Sequence, residues 1–143
     1  MNERLQITVS TIIHATEDDT KIIESFEEFF GLNQKQIMLQ KLTGHFDNPI
    51  IMVTIKLTKK TAREFLNRLN KLLSKSQIEE ISEGIEDRIE NSTLHIRLSK
   101  QDFIKRKIEF REKDSIKIKI STPVYNKKDR VEIFSNLFLS HLN

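Results

Sequence analysis

Near the start of the chain Leu5, Ile7, Val9, Thr11 and Ile13 share one parity, and the polar residues Gln6, Thr8 and Ser10 take the other. A period of two predicts a half-buried strand. The period then changes. After Thr16, read as an N-cap ahead of Glu17, Asp18 and Asp19, the apolar residues Ile22, Ile23, Phe26, Phe29 and Phe30 recur at helical spacing until Gly31. That pattern predicts an amphipathic helix with acids in its first turn. Alternation returns at Ile37 and Leu39, set between Gln36, Met38 and Gln40, and again at Ile51, Val53, Ile55 and Leu57. Two strands separated by "TGHFDNP" read as a hairpin with a longer loop.

Thr58 then caps a second helix whose Ala62, Phe65, Leu66, Leu69, Leu72 and Leu73 form one stripe, with Lys59, Lys60, Arg63, Arg68 and Lys71 elsewhere on its surface. Ser76 and Glu79 have capping-box spacing ahead of a third, narrower stripe of Ile78, Ile81, Ile85 and Ile89, weakened at Gly84. Leu94, Ile96 and Leu98 alternate with His95 and Arg97, and Ile116, Ile118 and Ile120 alternate with Lys117 and Lys119. Between these strands, "SKQDFIKRKIEFREKD" reads as a short turn or helix leading into a strand near Ile108 and Phe110. Asn126 caps a last helix carrying Val131, Phe134, Leu137, Phe138 and Leu142.

Strands with one apolar face and helices with one apolar stripe predict an α+β fold, a two-layer sandwich. The sheet is expected to be mostly antiparallel, with helices on one side, in a single domain over residues 1–143. The other sheet face is left open. It collects Gln6, Thr8, Ser10, Gln36, Met38, Gln40, Met52, Thr54, Lys56, His95, Arg97, Lys117, Lys119 and Ser121, which include bases and no carboxylate.

Charge sharpens this picture because it is segregated. A net charge of +3 hides six carboxylates against Lys21 between Glu17 and Glu28, and six against Arg88 between Glu79 and Glu90. It also hides seven bases against Glu64 from Lys56 to Lys75, and eleven against five acids from Lys100 to Arg130. With 143 residues the chain can bury a core without a staple, and zero Cys leaves no disulfide, thiolate metal site or cysteine nucleophile. No apolar run approaches a membrane span and no leader-like apolar stretch follows Met1, so a soluble cytoplasmic protein is the expectation.

Three stretches, "IIHATED", "LTGHFDNPI" and "LHIRLSKQDF", occur in order across almost the whole chain. Together they resemble signature stretches of a family of small archaeal RNA-binding proteins regarded as exosome subunits. Members of that family are similar in fold to a ribosomal protein that binds 5S rRNA. Asp102 and Phe103 stand where the family more often has small residues and an aromatic. The resemblance implies RNA as the partner, with exosome or ribosomal components as further partners.

Candidate chemistry is sparse. His14, His45 and His95 have no ligand spacing, so no metal or cofactor is expected. The acids at Glu17, Asp18 and Asp19 are read as complementing a helix dipole, and Glu17 to Asp19 facing His14 is the nearest approach to an acid–base cluster. No nucleophile motif, P-loop or dinucleotide fingerprint occurs, and no catalytic residue is nominated. In "TGHFDNP", Gly44 is expected at positive φ, with Asp47 and Asn48 making side-chain turn bonds, Pro49 stiffening the exit and His45 bonded to local backbone. The expected RNA contacts are phosphate contacts from Lys56, Arg97, Lys100, Lys105, Arg106, Lys117 and Lys119. Two competing readings are weighed against this. Lys117 and Lys119 could serve to block pairing at a sheet edge. Alternatively Ile12, Met38 and Met52 could bury the open face against a second copy or a larger partner, with RNA contact incidental. Tyr125 is the only tyrosine and the phenylalanines fall mostly in core stripes, so recognition by backbone and shape is expected over base stacking.

Overall fold

The computed structural model describes residues 4–139. The elements follow as β1 (Gln6–His14), α1 (Asp19–Phe30), β2 (Ile37–Thr43), β3 (Pro49–Thr58), α2 (Lys59–Leu72), α3 (Lys75–Glu83) and α4 (Ile85–Arg88). They continue with β4 (Ile89–Glu90), β5 (Thr93–Ser99), α5 (Lys100–Phe103), β6 (Ser115–Ser121) and α6 (Arg130–Leu139). The strands form one open sheet in the order β2-β3-β1-β6-β5-β4, with every neighbouring pair antiparallel. Alternation sends Ile7, Val9, Val53, Ile55, Ile96 and Ile118 to the helix-covered face, where each is at most 1% exposed. The opposite face of these strands stays half-buried or exposed, except at the paired Ser99 and Ser115, which are buried at one end.

Helix boundaries follow from local chemistry. Asp18, two residues later than the expected Thr16, caps α1: its Oδ1 accepts from the Thr20 N–H at 3.0 Å and the Lys21 N–H at 3.4 Å. The helix ends at Gly31 in the left-handed conformation (φ 66°), whose N–H turns back to the Phe26 carbonyl. Arg68 completes that end from α2, donating to the Phe29 and Glu28 carbonyls at 2.9 and 3.0 Å. The capping box of α3 is Ser74 with Gln77, not Ser76 with Glu79: the Gln77 N–H reaches Ser74 Oγ at 3.1 Å and the Ser74 N–H reaches Gln77 Oε1 at 2.9 Å. Gly84 breaks the third stripe into α3 and α4, and Ile89 becomes strand. The strand expected near Ile108 and Phe110 reduces to a single bridge between Phe110 and Leu98. Asn126, expected to cap the last helix, caps instead a 3-10 turn (Lys127–Asp129) that leads into α6, accepting from the Lys128 N–H at 3.0 Å; Leu142 lies outside the described residues.

An aromatic cluster joins α1, α2 and α5. The ring of Phe30 lies 4.7 Å from that of Phe65 and 5.0 Å from that of Phe103, and Phe26 lies 5.2 Å from Phe103. Burying Phe103 fixes α5 and the turn after it against α1.

Candidate nucleic-acid interface

Strand pairing arranges the open face in rows that run across the sheet. One row is Lys56–Thr8–Lys119–His95 and the next is Met38–Thr54–Ser10–Lys117–Arg97. Below them, Thr58–Gln6–Ser121–Thr93 is all hydroxyl or amide, with Thr93 Oγ1 and Ser121 Oγ 2.9 Å apart. Strands lie about 4.8 Å apart, so Lys56 and Lys119 are separated by roughly 10 Å and Lys117 by one further row, close enough for one backbone to meet several of them. Small Thr and Ser side chains between the bases keep the surface flat. A concavity of about 530 Å³ at the foot of the sheet, lined by Arg4, Thr58, Lys59, Thr93 and Ser121 among others, continues the surface without a carboxylate.

β6 lies inside the sheet between β1 and β5, so Lys117 and Lys119 cannot be edge-blocking lysines. The platform is nevertheless bounded by acids that the alternation pattern does not show. Glu90 on β4 faces the same side as Thr93, its partner on β5, and comes within 3.8 Å of His95 Nε2. Glu112 pairs with Arg97 at 2.9 Å. A concavity of about 430 Å³ at this edge is lined by Glu80, Asp87, Glu90 and Glu112 together with Arg88, His95 and Arg97. Burial and the neighbouring Lys119 hold the His95 imidazole below its ordinary pKa, with Arg97 in the same direction and Glu90 opposing. The cationic surface is therefore strongest over β3, β1 and β6 and ends in carboxylates at β4.

Three of the seven expected phosphate contacts do not join it. Lys100 is 1% exposed, and its ammonium donates to the Ile12 carbonyl at 2.6 Å and pairs with Glu17 and Asp114 at 2.8 Å each. An ammonium has three protons, and all three are committed. Arg106 turns the other way, toward the helical layer, where it donates to Ser25 Oγ at 2.8 Å and pairs with the Glu28 carboxylate of α1. Lys105 is exposed in that same turn after α5, outside the strands that form the face. Lys56, Arg97, Lys117 and Lys119 are the four the structure brings together.

The Lys100 cluster also accounts for the acids near His14. The ligand atoms of His14, Glu17 and Asp114 lie within 4.8 Å of one another, but the Lys100 ammonium already sits between the two carboxylates. Glu17 further accepts from the His14 N–H at 2.8 Å and from Gln101 Nε2 at 3.1 Å. The hydrogen bond from Lys100 holds the Asp114 carboxyl below the usual carboxylate value. Two of the three signature stretches, "IIHATED" and "LSKQDF", are thus tied together through Glu17, Lys100 and Gln101. The third, "LTGHFDNPI", adjoins them where Ile50 pairs with His14.

That third stretch differs from its expected form. Gly44 has φ −90°, and the left-handed positions are Phe46 (φ 58°) and Asp47 (φ 59°). Gly44 is needed for close approach instead: a Cβ there would meet Ile50 Cγ2 at 3.1 Å and the Asn48 carbonyl at 3.3 Å. The loop closes through backbone, Gly44 N–H to Asn48 O at 2.7 Å and Asn48 N–H to His45 O at 3.2 Å. Exposed aromatics exist after all, at Phe46 (96% exposed) and Tyr125 (85% exposed), the latter accepting from Arg4 at 2.7 Å. The exception was readable in the placement of Phe46, which belongs to no apolar stripe.

An open antiparallel sheet backed by helices, with a flat basic and hydroxyl face and loops at one end, defines a class of α+β binding proteins. Within it, the chain belongs to the family described as RNA binding, whose model matches residues 6–122. It is similar to RNA-binding protein PAB1135 of Pyrococcus abyssi, 35% identical over 101 residues, a match covering 66% of each chain. Among solved structures it is similar to protein AF2318 of Archaeoglobus fulgidus, with 30% identity, a TM-score of 0.79 and coverage of 92% of this chain and 97% of that one. Protein SSO0741 of Sulfolobus solfataricus follows with 27% identity, a TM-score of 0.75 and coverage of 92% and 97%. Among the described residues no helix is long and apolar enough to cross a membrane.

Proposed function

We propose that this protein is a non-catalytic RNA-binding module that lays an RNA backbone on its open sheet face. Lys56, Arg97, Lys117 and Lys119 neutralise phosphates, and the Thr and Ser side chains between them hydrogen-bond sugar and phosphate oxygens. The observation that carries this is the pair of adjacent rows Lys56–Thr8–Lys119–His95 and Thr54–Ser10–Lys117–Arg97, which hold three lysines, an arginine and no carboxylate, in a chain of the RNA-binding family. The carboxylates beside His14, Glu17 and Asp114, both pair with the Lys100 ammonium, which favours a structural role for them over acid–base chemistry.

The test is affinity for a structured RNA across a salt series. Each neutralised phosphate contributes roughly 0.7 to 0.9 to the slope of log affinity against log salt. Lys117→Ala with Lys119→Ala should lower that slope by about 1.5 and weaken binding to all sequences alike. A slope unchanged by this double variant would sink the reading. Exosome or ribosomal components, as further partners, are tested by crosslinking the protein to RNA in its native cells and sequencing what is captured.

A second reading is favoured by the edge strand β2, where Met38, Leu39 and Leu42 are 48%, 51% and 38% exposed and Ile12 nearby is 36% exposed. A long apolar edge invites pairing with a second copy. Sedimentation of the pure protein separates the two, since a strict monomer at working concentration removes that alternative.

A further inference from the structure

We propose that Phe46, at the tip of the β2–β3 loop, is a stacking platform for an unpaired base of the RNA, an inference that rests on the RNA-binding reading above. Six other phenylalanines, Phe26, Phe30, Phe65, Phe103, Phe134 and Phe138, are at most 3% exposed, whereas Phe46 is 96% exposed. The ring is not left there by accident of a loose loop. Two backbone hydrogen bonds close residues 44–48, Gly44 provides the close approach that closure needs, and Thr43 pairs with Pro49 at the base. Phe46 and Asp47 both hold left-handed φ, a conformation that costs free energy in residues other than glycine and that Asn or Gly would adopt more readily. A large apolar side chain held in water on a strained backbone lowers the stability of the free protein. Contact with a partner is what can offset that loss.

The partner's chemistry follows from the rest of the face. The rows that hold Lys56, Lys117, Lys119 and Arg97 contain no Phe, Tyr or Trp, and their one ring, His95, is half-buried beside Glu90 at the acidic β4 edge, so bases of an RNA held there by its phosphates find no open phenyl or indole face until the chain reaches the hairpin tip. From Lys56 along β3 to Pro49 is seven residues, roughly 24 Å at 3.4 Å each, a span that a few nucleotides cover. The Leu42–Ile50–His14 row bridges the interval on the same face. The neighbouring His45 ring, 6.5 Å from Phe46, offers a second flat surface. Bases inside a duplex are stacked on one another and out of reach, so the ligand is single-stranded or looped RNA whose flanking backbone sits on the lysines.

The chain contains no Trp, so Phe46→Trp installs the sole indole. Its emission is followed while the protein is titrated with a mixed-sequence single-stranded oligoribonucleotide, and separately with the same sequence as a blunt duplex. Anisotropy of an end-labelled RNA reports binding independently. Quenching by the single strand that tracks the anisotropy curve, and none by the duplex, is the expected result. Phe46→Ala should weaken single-strand binding roughly 5- to 150-fold with the salt slope unchanged, because stacking releases no counterions. Phe46→Gly should bind as weakly yet melt at a higher temperature than the unaltered protein, which shows that lost affinity is not lost folding. Binding by anisotropy with an unperturbed indole, or a Phe46→Ala variant that binds like the unaltered protein, overturns the stacking role and leaves the RNA-binding reading standing. An indole that shifts with protein concentration in the absence of RNA assigns the ring to a second copy and overturns it as well. No binding of either RNA by the unaltered protein removes both readings.

Discussion

Replacing Lys100 with Met tests whether this lysine is structural. Its ammonium is 1% exposed and carries the charge that balances Glu17, whose side chain is 14% exposed, and Asp114, 40% exposed. Removing one partner of a buried ion pair costs about 3–5 kcal/mol, because the remaining charge stays desolvated. Here Glu17 keeps its bonds from the His14 N–H and from Gln101, and Asp114 reaches water, so the cost belongs at the low end, about 3 kcal/mol. For a chain of this size that is a fall in Tm of about 10 °C. Urea unfolding followed by far-ultraviolet circular dichroism measures it. Adding Glu17→Gln to Lys100→Met should recover part of the loss, since the stranded charge is then gone. The difference between Lys100→Met and the unaltered protein should also shrink in acid. Asp114 has its folded-state pKa depressed by Lys100, so its contribution is present above the ordinary carboxylate value and is lost as pH falls through the folded value. A variant within 0.5 kcal/mol of the unaltered protein at pH 7, a threshold below the roughly 1 kcal/mol of a typical net hydrogen bond, would refute the buried-pair account. So would a difference that does not change with pH. RNA affinity of the folded Lys100→Met protein should match that of the unaltered protein, in contrast to Lys117→Ala.

Three further outcomes are expected. Gly31→Ala should cost about 1 kcal/mol, entirely through its φ of 66°, because the new Cβ would meet only the Arg68 guanidinium at an ordinary 3.6 Å; an unchanged thermal melt would show that the α1 terminus relaxes. Ser74→Ala should lose about 1 kcal/mol and Ser76→Ala almost nothing, and chemical unfolding that reversed this order would reassign the α3 cap. His95 titrates below its ordinary value when folded, so the folded state binds fewer protons there than the unfolded chain. Its contribution is complete above about pH 6.5 and is lost as pH falls below it, so urea midpoints at pH 7.5 and 5.5 should differ more in the unaltered protein than in His95→Gln. Equal differences would remove His95 as the cause.

The sequence by itself determined most of the elements and which side of β1, β3, β5 and β6 meets the core, but not that Ile108 to Phe110 would keep a single bridge or that Leu39 on β2 would stay exposed beyond the helices' cover. Parity is a local property: Ile7 and Val9 are buried and Thr8 and Ser10 are not, whichever strands lie beside them. The basic residues at Lys56, Lys117, Lys119 and Arg97 were legible on the open face for the same reason. Boundaries were less so, because Thr16 and Asp18, or Ser76 and Ser74, are chemically equivalent caps and only the packed helix selects between them. Tertiary structure alone decided the rest. Whether Lys117 and Lys119 guard an edge or sit mid-sheet depends on strand order, which parity does not encode. Lys100 looks like any other base in a basic run, but its partners Ile12 and Glu17 lie 88 and 83 residues away, and only folding brings their oxygens around its ammonium. Arg106 was likewise drawn to Ser25 and Glu28, 81 and 78 residues distant, and so left the face its sequence neighbours suggested. A charge's role is set by what surrounds it once water is excluded, and that surrounding is assembled from residues far apart along the chain.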